Sequence, residues 1–246
     1  MFLEGILILA VIGIILVVFY KQAVQEFRIL QTDSLQKAQT LLHERCPIVV
    51  LPMEMPEGLW TQADVAQRPT LQTTPVNGKV LKEQLKQESV QLTQQKGEEL
   101  AKAISLPVWI DQRVLPAVKE HVWWGSLLKA RSEATIGAQG MRQTTAYETV
   151  LLCTEGALAV SLVNGSSNAY LPTKWQGKRL KKLTRDDAPL LKQIQYVDVL
   201  VRPGSALLIP PHWKVSWENH ETPTPALGVW IEIHHPLSNL MRRAVQ

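Results

Sequence analysis

Residues 202–219 read Arg-Pro-Gly-Ser-Ala-Leu-Leu-Ile-Pro-Pro-His-Trp-Lys-Val-Ser-Trp-Glu-Asn. Pro203-Gly204 is a turn dipeptide, because proline presets φ and glycine tolerates the left-handed region. Ala206 to Ile209 is a short, continuous apolar run, as expected of a strand buried on both faces. Pro210-Pro211 removes two backbone donors in succession and stops that strand. Val215 and Trp217 then resume a β pattern. A strand, a tight break and a second strand within so few residues are what a β sandwich or barrel uses.

The same grammar recurs along the C-terminal half. Short β-type runs fall at 134–136, 147–153, 157–163, 196–201, 206–209, 215–217 and 228–233. Gly140, Glu155-Gly156, Asn164-Gly165, Pro203-Gly204 and the prolines of 223–225 punctuate them. Many short strands with regular turns predict a double-sheet jelly roll over 107–246. Asn164-Gly165-Ser166 reads as an Asn-Gly hairpin turn, although it is also a formal glycosylation sequon.

The preceding half reads differently. Thr32-Asp33-Ser34 is a helix start, with Leu35, Ala38, Leu41 and Leu42 at helical spacing up to Pro47. Residues 48–51 form a short buried strand, closed by Pro52. Residues 57–77 are polar, broken by Pro69 and Pro75, and are expected to be a long surface connection. Residues 79–104 carry Leu81, Leu85, Leu92, Leu100 and Ile104 near one face, which predicts an amphipathic helix facing the core.

Residues 2–20 are nearly all Ile, Leu, Val, Gly and Phe, with Glu4 as the only charge. About 20 apolar residues suffice for a helix to cross a bilayer. A cleaved signal peptide would need a basic start and a small-residue cleavage site. Glu4 and the bulky Phe19-Tyr20 supply neither. The expectation is an uncleaved single-pass transmembrane anchor over 1–20, with the lipid bilayer as partner through residues 2–20. Lys21, Arg28 and Lys37 follow the span, which places the C-terminal domain in the cytoplasm. The organisation is thus an anchor at 1–20, a helical and connecting region at 21–106, and the β domain at 107–246.

Chemistry is sparse. The 246 residues carry a net charge of +4. Lys178, Arg179, Lys181, Lys182 and Arg185 form the one dense basic run, too local for a nucleic-acid face. Cys46 and Cys153 lack Cys-x-x-Cys spacing, so neither a zinc site nor a redox dithiol is expected. There is no nucleophile elbow, phosphate loop or His-Glu-x-x-His. Asp186-Asp187 reads as local charge balance. His234-His235 fall on opposite sides of a strand and cannot easily share one ion. Trp213, Trp217 and Trp230 are expected to fill the core.

The 202–219 stretch resembles the segment carrying the last metal ligand in the cupin-like, Jumonji-C-type oxygenases, roughly Pro-Gly-Asp-x-Leu-x-Ile-Pro-Pro-Gly-Trp-Trp-His. Residues 42–50, Trp123-Trp124-Gly125 and residues 134–137 also resemble that family. The resemblance implies a cupin-like double-stranded β-helix, and hence an α+β, mainly β protein. It also implies positions for an iron site. The distal histidine position is Val215, and His-x-Asp falls on Ala146-Tyr147-Glu148, or on Gln143-Thr144-Thr145 if the gap slides. Non-haem Fe(II) needs two imidazoles and a carboxylate. Only Glu148 could supply any of these. The strand at 157–163, where the family carries a basic co-substrate anchor, has no Lys or Arg.

The expectation is therefore a degenerate, non-catalytic member, a pseudoenzyme acting in binding or assembly with a protein partner or a second copy. No metal, no cofactor and no nucleic-acid partner are expected. Tyr147, His212, Trp213 and Trp217 would line what remains of the pocket. The alternative is a divergent 2-oxoglutarate-dependent hydroxylase with relocated ligands, requiring two of His212, Glu148, His234 and His121 to converge.

Overall fold

The computed structural model describes residues 5, 8, 11–15, 28–53, 59–87, 89–90, 92–120, 122, 125–220 and 225–235. Residues 11–15 are helical and exposed. Most of the expected 2–20 span lies outside the described residues. Among the described residues no helix is long and apolar enough to cross a membrane.

Five short strands belong to the N-terminal half: β1 (Leu30–Thr32), β2 (Ile48–Val50), β3 (Pro75–Val76), β4 (Lys79–Val80) and β5 (Ser89–Val90). β3 and β4 pair only with each other, as a small antiparallel hairpin. The C-terminal half alternates between two sheets. β6 (Lys129–Gly137), β8 (Glu148–Glu155), β11 (Ala206–Ile209) and β13 (Leu227–His234) pair in the order β11-β8-β13-β6. β7 (Gln139–Gln143), β9 (Leu158–Val163), β10 (Tyr196–Val201) and β12 (Lys214–Asn219) pair in the order β10-β9-β12-β7. All these pairs are antiparallel. Eight strands in two facing four-stranded blocks with these crossovers form a jelly roll, as expected. The N-terminal strands extend the first block into a seven-stranded sheet, with β2 joining β11, β1 joining β2, and β5 joining β6.

Strand alternation sorts the residues into layers. Val150, Leu152, Val229, Ile231 and Ile233 face a helical layer contributing Leu100, Leu106, Ile110, Val114 and Val118. Leu151, Trp230, Leu158, Val160, Leu162, Val215 and Trp217 fill the space between the two sheets. Each such side chain, fully buried, contributes roughly 1.5–3 kcal/mol.

Residues 164–195, between β9 and β10, close the outer face of the second sheet. Leu171, Leu180, Leu183 and Ile194 pack there on Met141 and Val163. Gly140 is required by this packing, because a Cβ would collide with the carbonyl of Gly177.

Four expectations need correction. Asn164 is not in a tight hairpin. It is fully buried, and its side chain accepts the Ser166 N–H at the start of a 3₁₀ segment, Gly165–Tyr170. The 57–77 connection holds α2 (Gln62–Gln67), capped by Thr61, and α3 (Pro69–Gln72), which follow α1 (Leu35–Leu41). Trp60, Val65 and Leu71 anchor that connection in the core. The single helix over 79–104 is instead α4 (Leu81–Gln84), β5 and α5 (Gln94–Ala103). Helix also continues beyond Pro107, through α6 (Leu106–Trp109) and a π-helical turn to α7 (Leu115–Lys119). The proline in the first turn of α6, Pro107, is tolerated because the N–H it lacks would have no helical partner there.

Candidate functional site

The end of the sandwich where β8 and β12 begin and β7, β11 and β13 finish carries the positions singled out by the resemblance. Thr144, just after β7, ties this end together. Its hydroxyl donates to the Pro210 carbonyl at 2.6 Å and accepts from the Trp213 N–H at 3.0 Å. Its carbonyl accepts the His212 N–H at 2.7 Å. This holds the Pro-Pro turn, in which His212 adopts a left-handed φ of 72°.

Ala146 and Val215 are buried, and Val215 faces the space between the sheets. Glu148 does not face that space. It shares the alternation of Val150 and Leu152 and points into the helical layer, where Gln39 of α1 donates to both its oxygens at 3.2 and 3.3 Å. Burial pushes the Glu148 carboxyl up to about 7, and the Gln39 bond only partly opposes this. Tyr147 also packs on the helical core, so it does not line a pocket shared with Trp213 and Trp217. Both tryptophans are fully buried between the sheets. His212 is half-buried, and burial and the nearby Arg45 charge hold its imidazole below the usual range. His121 lies outside the described residues. The residues at the iron positions do not fit iron. A methyl, an isopropyl and a carboxylate on the wrong face of its sheet cannot form a two-histidine, one-carboxylate face. Among the described residues no three His, Cys, Asp or Glu side chains gather around one point.

A different group stands between the sheets. Arg142 of β7 pairs in register with Val215. Its guanidinium donates to Glu133 at 2.9 Å and lies 4.9 Å from the Trp230 ring centre and 5.4 Å from that of Trp217. The two indoles stack at 5.4 Å. Glu232 accepts from the Trp230 indole N–H and meets His234, each at 3.1 Å. Burial pushes the Glu232 carboxyl up, but His234, Trp230 and the Arg142 charge together bring it below the usual range.

Sequence pattern alone conceals this cluster, because Gly140 reads as punctuation and hides β7 and with it Arg142. Glu133 and Glu232 are legible to different degrees. Glu232 is a charged residue at an inward-facing position of a largely apolar strand, whereas Glu133 stands among Lys129, Arg131 and Ser132 and is marked only by its inward-facing position.

No protein-family model matches the chain, and no curated protein matches it. Solved structures do resemble it. The carbocyclase SnoK of nogalamycin biosynthesis, a non-heme, alpha-ketoglutarate-dependent enzyme, is 14% identical, with 80% of this chain and 82% of that one covered and a TM-score of 0.44. Hydroquinone 1,2-dioxygenase from Sphingomonas sp. TTNP3 is 17% identical, with coverage of 44% and 60% and a TM-score of 0.30. The CENP-C cupin domain of Drosophila melanogaster is 14% identical, with coverage of 44% and 60% and a TM-score of 0.25. The chain thus spans less than two thirds of the dioxygenase and of the CENP-C domain. Its β-rich, cupin-like α+β fold is read from its own strand order.

Proposed function

We propose that the protein is a membrane-anchored, non-catalytic cupin-like domain acting in binding or assembly. The observation that carries this reading is the separation of Glu148 from Val215, the carboxylate facing the helices and the valine facing the space between the sheets. The alternative hydroxylase needs relocated ligands to converge. Glu148 is committed to Gln39, and His234 to Glu232.

The anchor over residues 2–20 rests on their apolar run, and the cytoplasmic placement of the β domain rests on Lys21, Arg28 and Lys37. The partner in this reading is another protein or a second copy. The test is to extract the full chain from membranes in detergent, supply Fe(II) and 2-oxoglutarate, and measure bound iron and oxygen consumption. Neither stoichiometric iron nor 2-oxoglutarate-dependent oxygen uptake is expected. Either one sinks the non-catalytic reading, and recovery of the chain without detergent sinks the anchor.

A further inference from the structure

We propose that the space between the sheets contains a guanidinium-binding box, built from Glu133 and the stacked rings of Trp217 and Trp230, with Arg142 as its resident occupant. Three observations carry this. Glu133 is only 4% exposed and its carboxylate meets the guanidinium directly. The guanidinium lies within cation–π range of both indoles, at 4.9 and 5.4 Å. The Trp217 indole N–H is buried and makes no hydrogen bond among the described residues, so that ring serves the cluster through its face.

The chemistry selects the class of cation. A planar guanidinium offers a flat face to the rings and N–H donors in its plane to a carboxylate. A tetrahedral ammonium can meet one ring and one acceptor, as Lys214 does at Trp175 and Asn168, but it has no flat face to lie along two stacked indoles. The box therefore takes a free planar guanidinium when Arg142 is shortened. This inference does not depend on whether the domain turns over a substrate.

The experiment uses the full chain carrying Arg142→Ala, followed by thermal melting with and without methylguanidinium. At about 10 mM, a concentration well above a millimolar-range Kd, it is expected to raise the melting temperature of the variant by roughly 3 °C and to leave the parent chain unmoved. Methylammonium or sodium at equal ionic strength is expected to do nothing. Adding Glu133→Gln to the variant is expected to abolish the rescue. Equal responses to methylguanidinium and sodium, or none in a folded variant, overturn the proposal. If the variant folds only with the cation present, refolding yield becomes the readout, and equal yields with and without methylguanidinium also overturn it. Iron in the parent chain would contradict the non-catalytic reading while leaving this result unaffected.

Discussion

Two carboxylates on the seven-stranded sheet are almost equally dry, yet they sit in opposite electrostatic surroundings. Glu148 is 1% exposed on the helical face and meets the neutral amide of Gln39. Glu133 is 4% exposed on the other face and meets the Arg142 guanidinium. Burial disfavours charge in both places, so the partner decides how that cost is met. Beside an amide, the acid keeps its proton up to about pH 7. Beside a guanidinium, opposite charges hold the pair together.

The sharpest way to break this comparison is to remove one partner from each face. Arg142→Met leaves Glu133 buried without its counter-charge. Losing one partner of a buried pair costs about 4 kcal/mol. Gln39→Leu removes only a neutral amide and is expected to cost about 1 kcal/mol in mildly acidic solution, where Glu148 is protonated. Urea denaturation of both variants at pH 5.5 measures the difference. Equal losses would mean that the two faces are not electrostatically distinct.

A second test uses pH. The Glu148 carboxyl moves from 4.5 unfolded to about 7 folded. The folded state therefore holds this proton more tightly. Its contribution to stability is full below pH 4.5 and is lost as pH rises through 7. The lost contribution amounts to about 3 kcal/mol at pH 8. Glu148→Gln removes this dependence, so it is expected to match the parent near pH 4.5 and to exceed it by up to about 3 kcal/mol at pH 8. Denaturation series at the two pH values check it. A parent–variant difference that does not change with pH would show that Glu148 is not the titrating group.

The contrast also explains what was legible in the sequence. The jelly-roll strands could be read because Leu207, Ile209, Val215 and Trp217 belong to short apolar runs between strong turn residues. Register gave Val215 its inward direction. Glu148 could not be placed the same way. A one-residue difference in where alternation begins moves a side chain to the other face, and only the Gln39 contact, 109 positions away in the chain, fixes its role. Arg142 was hidden for a different reason. Gly140 normally marks a break, but here it lets β7 run against the backbone of Gly177. The broken helix over 79–104 reflects tertiary packing, since β5 pairs with β6 where periodicity alone favours continued helix.

The outer face of the second sheet supplies the smallest expected effect. Lys214 points outward from β12 and is covered by residues 164–195, with its amine bonded to Asn168 and 4.9 Å from the Trp175 ring centre. Burial lowers its pKa from 10.5 to about 8. The folded state therefore binds this proton less tightly than the unfolded chain, a penalty that is full below pH 8 and disappears as pH rises to 10.5. Methionine also gives up the Asn168 hydrogen bond, so Lys214→Met is expected to stabilise the protein by only about 1 kcal/mol at pH 7. That advantage should shrink in denaturation measurements at pH 10. An advantage that grows with pH would reverse the sign of the argument and place Lys214 with Arg142, among cations that the fold holds charged.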